Sequence, residues 1–114
     1  MPFIGTRTTV AVSPEKREAI KKKFGTAIEL LPGKSESWLM VSFEDNCSMY
    51  FKGSDKKPLA FVEVKIFGSA AKASYNKLTG EITGILGTEL GIQPDCIYVK
   101  YEEVPNWGWN GSNL

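Results

Sequence analysis

Apolar and polar positions alternate, wind and alternate again along the chain. PFIGTRTTVAV, residues 2–12, is rich in β-branched and aromatic types and predicts a strand. Ser13-Pro14-Glu15 predicts a helix start: a serine cap, a proline at the first helical position and an acid that suits the helix dipole. Ile20, Phe24, Ala27, Ile28 and Leu31 recur at helical spacing, with the lysines mainly elsewhere, and Pro32-Gly33 is expected to stop the helix. Trp38 to Phe43 predicts a second strand, Asp45-Asn46 a turn, Ser48 to Phe51 a short third strand, and Gly53-Ser54-Asp55 a loop.

The pattern then restarts. Pro58 heads LAFVEVKIF, where Ala60, Val62, Val64 and Ile66 alternate with Phe61, Glu63, Lys65 and Phe67, so Val62, Val64 and Ile66 are expected to face helices. From about Ala70 a second helix carries Leu78, Ile82, Ile85 and Leu86 on its apolar face, with Gly91 as its stop. Gly80, Gly84 and Gly87 weaken a lone helix, and are expected to allow close packing on the sheet. Cys96 to Tyr101 predicts the closing strand. Strand–helix–strand thus occurs twice, over about residues 1–57 and 58–114. Pro2 answers Pro58, and WLMVSFED answers IYVKYEEV. The fold class that follows is α+β: two right-handed βαβ units in one 114-residue domain, forming a four-stranded sheet with both helices on one face. The other face, as an apolar sheet face, is expected to need a cover; no third layer is left in the chain, so neighbouring subunits are expected there.

Charge narrows the function. Lys plus Arg is 14 and Asp plus Glu is 13, a balance that argues against a nucleic-acid binder. Lys21-Lys22-Lys23 and Lys56-Lys57 read as a solvated helix face and a turn. With no histidine, and with only Cys47 and Cys96 far apart, no Ser-His-Asp triad, dithiol motif or zinc set can be assembled. No secretory signal and no membrane-length apolar run is visible, which makes the cytoplasm the default expectation. No metal or cofactor is expected.

Four features carry candidate chemistry. Pro2 suits a strand start structurally, because no ladder donor is needed there. If Met1 is removed, however, Pro2 becomes a secondary amine. Burial and a nearby cation would lower its pKa from the ordinary 7.7–8.0 or so of an α-amine, leaving a neutral base. Lys34 follows the helix stop in a loop before a strand, where sites commonly form, although a solvated loop lysine is the plainer reading. The ending PNWGWNGSNL holds Trp107 and Trp109, which need a surface to bury, either as a docked tail or as a pocket wall. Tyr98 and Lys100, two apart on one strand, share a face suited to an anionic or aromatic ligand, or merely to solvent.

The Met-Pro start, Pro32-Gly33-Lys34, Ser74-Tyr75-Asn76-Lys77-Leu78, PDCIYVKY and Gly108-Trp109-Asn110-Gly111-Ser112 occur together, in an order that resembles the macrophage migration inhibitory factor family of the tautomerase superfamily. The resemblance runs over essentially the whole chain. It implies a homotrimer with the active site between adjacent subunits, and keto–enol tautomerisation of phenylpyruvate-like substrates. It implies Pro2 as catalytic base, with Lys34 binding the substrate carboxylate and keeping the amine neutral. The backbone around Ile66 and Phe67 would position the ligand, Tyr98 of a neighbouring subunit would flank its ring, and Trp107, Trp109 and Leu114 would line the mouth. It also implies a second reading, an interaction protein that binds a host immune receptor and is exported without a signal peptide. Departures from the family pattern sharpen these expectations. Ala60-Phe61-Val62-Glu63 replaces the CxxC of the mammalian cytokines, so thiol oxidoreductase activity is not expected. Lys100 stands at a family asparagine, Lys65 near a family histidine and Phe67 at an aliphatic position, which predicts a cationic, aromatic pocket for a small anionic aromatic substrate.

Overall fold

A computed structural model describes residues 1–114. Its sheet is built on β1 (Pro2–Thr8) and β3 (Ala60–Phe67), with β2 (Met40–Glu44) and β4 (Ile97–Val104) at the edges in the order β2-β1-β3-β4. β1 and β2 run parallel, as do β3 and β4, while the two central strands are antiparallel. Each parallel pair is joined by a helix, α1 (Pro14–Ala27) or α2 (Lys72–Leu90), so the expected doubled strand–helix–strand order and the mixed four-stranded sheet are both present.

The helices share one face of the sheet because the strand alternation fixes which side chains they meet. Ile4, Val62, Val64 and Ile66 point into a cluster of 18 buried residues with Ile20, Phe24 and Ile28 from the α1 region and Leu78, Ile82, Ile85 and Leu86 from α2. Glu89 of α2 ties the helices together by accepting from Lys16 at 3.2 Å and Lys23 at 2.6 Å. No helix is long and apolar enough to cross a membrane.

Several boundaries move for local physical reasons. β1 ends at Thr8 rather than residue 12. There the Thr8 hydroxyl accepts from Val10 N–H, and the Asp45 carboxylate accepts from Val12 N–H, so side chains take the place of ladder partners. The Ser13 hydroxyl caps α1 as predicted, but the α-helix closes at Ala27 and tightens into a 3₁₀ turn over Ile28–Leu30 before Gly33. Ser48 to Phe51 is not a strand: beyond one isolated bridge between Phe51 and Ser54, it has no ladder partner within the chain. Gly80 and Gly84 do not pack on the sheet. They lie on the rim of a groove between α1 and α2, because Leu78, Ile82, Ile85 and Leu86 already occupy the sheet-facing side. Of these three, only Gly87 has a neighbour that an added Cβ would touch, the Ile92 carbonyl.

The second face of the sheet mixes apolar and charged side chains, with Met40 at 68% and Tyr98 at 57% exposure among ion pairs. Arg7 pairs with Glu44 at 3.4 Å, Lys100 with Glu102 at 2.7 Å and with Glu63 at 3.7 Å, and the Lys65 ammonium lies 5.9 Å from the centre of the Phe3 ring. The last residues form a small hairpin, β5 (Gly108–Trp109) and β6 (Ser112–Asn113). Both turn residues adopt positive φ, 55° at Asn110 and 86° at Gly111, as a tight Asn-Gly hairpin requires.

Candidate active site at the head of the first strand

Antiparallel pairing of the central strands brings the start of the chain to the end of β3. Pro2, buried, lies opposite Ile66, and Phe67 N–H donates to the Met1 carbonyl at 3.1 Å. Lys34 approaches the same point from the loop behind α1. Its backbone N–H donates to Leu31 O at 3.0 Å, and its half-buried ammonium donates to the Phe67 carbonyl at 2.8 Å. Three separate segments thus meet within two residues of the N-terminus. Burial, and then the Lys34 charge, hold the N-terminal amine below its ordinary pKa of 8.0. The group so shifted is the Met1 amine, and an amine with a depressed pKa beside a fixed cation is the setting a proton-abstracting base uses.

Ile66 is 1% exposed and its side chain belongs to the core, so toward a ligand it offers only backbone. The Phe67 side chain points to the opposite face of the sheet, the one that carries the ion pairs. Val104 pairs with Phe67, so the tail leaves β4 at this same end. The hairpin returns toward the Lys34 segment through an edge-to-face contact of Trp109 with Trp38, ring centres 5.0 Å apart. Leu114 N–H donates to Trp107 O at 2.9 Å, which closes the hairpin on itself, and the Leu114 side chain is exposed.

Tyr98 and Lys100 lie elsewhere. Tyr98 pairs with Phe61 at the far end of β3, six residues from Phe67 or about 20 Å along a strand. It packs edge-on against Phe51 and Phe61 at 5.2 and 6.3 Å, and it lines an apolar cavity of about 220 Å³ with Met49 and Tyr50. Lys100 is held by Glu102 and Glu63, and the hydrogen bond it donates to Glu102 is the first cause raising its pKa. One chain therefore gathers Pro2, Lys34 and the Ile66–Phe67 backbone, sets Trp109 against Trp38, and leaves Tyr98 and Lys100 apart. The largest surface cavity, a groove of about 850 Å³ between the helices, contains neither Pro2 nor Lys34.

The apolar run around Trp38 predicts a strand, which gives no reason to place Trp38 among the site residues. Trp38 instead ends a 3₁₀ turn, Glu36–Trp38, and stands beside the tail. The available signal was an aromatic four residues after Lys34, facing a tryptophan-rich terminus. Similarly, Asn110-Gly111 between Trp109 and Ser112 carries a hairpin signature.

The family model for macrophage migration inhibitory factor (MIF) matches residues 1–114. The chain belongs to the MIF family. The Meriones unguiculatus macrophage migration inhibitory factor is 32% identical over 116 residues, covering 100% of this chain and 99% of that protein. Among solved structures, Leishmania major MIF2 is 32% identical with a TM-score of 0.93, covering 100% of this chain and 97% of that one. The MIF homologue of Prochlorococcus marinus is 31% identical with a TM-score of 0.87, covering 97% of each chain. The α+β architecture described above is thus that of MIF-like proteins.

Proposed function

We propose that this protein is a cofactor-free keto–enol tautomerase of phenylpyruvate-like 2-oxo acids, with the Pro2 amine as base after loss of Met1. The observation that carries this reading is the Lys34 ammonium fixed on the Phe67 carbonyl beside an N-terminal amine whose pKa burial and Lys34 already depress. MIF-family membership supports it independently.

While Met1 is present, Pro2 nitrogen is an amide and has no lone pair to offer a proton. Removal of Met1 turns it into a secondary amine and releases Phe67 N–H from the Met1 carbonyl. The substrate carboxylate then meets the Lys34 ammonium and the freed Phe67 N–H. Neutral Pro2 takes a proton from the carbon next to the keto group, the electron pair moves onto the oxygen, and the protonated amine returns a proton to that oxygen to give the enol. The reverse order converts enol to keto. Lys34 serves twice, holding the carboxylate and disfavouring the resting ammonium form of Pro2.

The site is read as completed in a homotrimer. Tyr98 and Lys100, remote from Pro2 within one chain, would flank the substrate ring from a neighbouring copy, while Trp107, Trp109 and Leu114 line the mouth. Native mass spectrometry should give three times the 12.6 kDa chain mass; a monomer at micromolar concentration refutes this part.

The deciding experiment couples intact mass with kinetics. A chain lacking Met1 should tautomerise phenylpyruvate or hydroxyphenylpyruvate, and Pro2→Gly should lose most of that activity. Retention of Met1 in the purified protein, or an unchanged rate in Pro2→Gly, removes Pro2 from the mechanism. Membership of a family that includes named cytokines favours one second reading, binding of a host immune receptor by protein exported from the cytoplasm without a signal peptide. Receptor binding that persists in Pro2→Gly would separate that role from catalysis.

A further inference from the structure

We infer that Glu103 is a positioning residue for this site, because its carboxylate clamps the loop that fixes the Phe67 carbonyl and, through it, the Lys34 ammonium; this rests on the tautomerase reading above.

β3 ends at Phe67, and the chain turns through Gly68, whose φ of 93° suits glycine, into the four residues 68–71 ahead of α2. A loop this short transmits any movement of its far end to Phe67. The far end lacks the usual restraint: Ala71 stands at the helix cap and has no side chain able to accept the exposed N–H groups. Glu103 instead holds the loop just ahead of that cap, from another element. It lies on β4 opposite Ile66, on the helix-facing side, and one of its oxygens accepts from Ala70 N–H at 3.2 Å and from the Tyr75 hydroxyl at 2.6 Å. A carboxylate also suits the positive end of α2.

The clamp is itself braced. The Tyr75 ring lies on the Tyr101 ring with centres 4.6 Å apart. Tyr101 donates to the Tyr75 carbonyl at 3.0 Å, and Thr79, one turn further along α2, bonds the Tyr101 hydroxyl at 2.8 Å. Burial, and then the bond to Glu103, push the Tyr75 pKa up to about 12, so it remains a phenol that donates at any physiological pH. One continuous set of bonds therefore runs from α2 and β4 through Glu103 to Ala70, three residues from the carbonyl that holds Lys34. Glu103 touches no reacting atom. Its effect on catalysis is the geometry of Lys34, which governs capture of the substrate carboxylate more than the intrinsic basicity of Pro2.

The test uses the processed, full-length chain and three variants: Glu103→Ala, Glu103→Gln and Tyr75→Phe. Glu103→Ala should raise KM for phenylpyruvate about 5- to 10-fold with little change in kcat, the effect of losing hydrogen bonds to a charged acceptor. Glu103→Gln keeps an acceptor oxygen and should recover most of the loss, and Tyr75→Phe should fall between. Amide exchange should accelerate at residues 67–71 in Glu103→Ala without a general loss of protection elsewhere. If Glu103→Ala does not fold, a raised KM in Tyr75→Phe with faster exchange at residues 67–71 supports the clamp, and wild-type behaviour there refutes it. Folded variants of an active enzyme that keep wild-type KM, or that lose kcat and KM together with global protection, refute a positioning role. A wild-type protein with no tautomerase activity refutes the proposed function instead, and the positioning role falls with it.

Discussion

Inserting one alanine between Met1 and Pro2 separates the two roles of the second residue. Methionine is removed ahead of alanine, so the processed variant ends in a primary amine and Pro2 is locked as an amide. The strand should be untouched. Met1 is only half-buried, and its ladder contribution is the carbonyl that accepts from Phe67 at 3.1 Å, which the inserted residue reproduces. Stability should therefore change by no more than about 0.5 kcal/mol, the range of surface changes. Catalysis should collapse for two additive reasons. A displaced or missing general base costs about 10²- to 10⁴-fold. The Phe67 N–H, again occupied, removes a neutral donor worth about 1 kcal/mol or roughly fivefold more. The assay is enol absorbance of phenylpyruvate, with intact mass to verify the new N-terminus and a urea melt to verify the fold. A variant of correct mass whose kcat/KM stays within about threefold of the parent would show that the base chemistry does not depend on Pro2.

Lys34→Gln should raise KM for phenylpyruvate about tenfold or more, since it removes the charge proposed to pair with the carboxylate. It should also raise the pKa of the N-terminal amine, because Lys34 is one of the two causes holding it down; an unchanged pH profile of amine labelling would disprove the coupling. Glu89 is held below the ordinary carboxylate range first by its bond from Lys23 and then by that from Lys16. Its stabilising effect is present above the unfolded pKa and is lost as pH falls through the folded one. The Tm gap between wild type and Glu89→Gln should therefore be open at pH 7 and close progressively below about pH 4.5; a gap independent of pH would contradict this. Ile82→Ala, at a fully buried position under the sheet, should cost about 2–5 kcal/mol in urea denaturation, and a loss under about 1 kcal/mol would mean the core is not packed as described.

Elements built from local rules could be read directly from the sequence. Ser13-Pro14 places the start of α1, and the Ser13 hydroxyl does accept from Lys16 N–H, at 3.2 Å. The alternation in AFVEVKIF tells which residues enter the core, and Val62, Val64 and Ile66 do. Where the sequence misled, a residue's conformation depended on a distant partner. Val10 and Val12 are strand-like by type, but Thr8 and Asp45 capture their N–H groups. Ser48 to Phe51 has the composition of a strand and no ladder partner within the chain. β4 continues through Glu102 and Glu103, which look too polar for a strand; Glu102 pairs with Lys100 on the charged face, and Glu103 bonds Ala70 and Tyr75 on the other. The same dependence explains the site. Pro2 and Lys34 could be selected by type, but their meeting at Phe67 follows from the antiparallel register of β1 and β3, which no short stretch of sequence encodes.

The doubled fold provides its own control on what is scaffold and what is chemistry. Each half needs a glycine of positive φ after its helix, Gly33 at 80° and Gly91 at 69°, because only that turn sends the chain back toward the sheet. Each half also tolerates a proline near the head of its first strand, Pro2 and Pro58. These shared features are accounted for by folding alone. The residues that follow the glycines differ: Ile92 is 2% exposed and fills the core, whereas Lys34 is half-buried and spends its charge on the Phe67 carbonyl. The prolines differ in the same sense, since Pro58 is fixed between two peptide bonds and Pro2 can be released by the loss of one residue. A fold requirement would apply to both halves. The lysine and the releasable amine occur in one half only and converge on one carbonyl, so their pairing is the part of the structure that the proposed reaction accounts for and the doubled architecture does not.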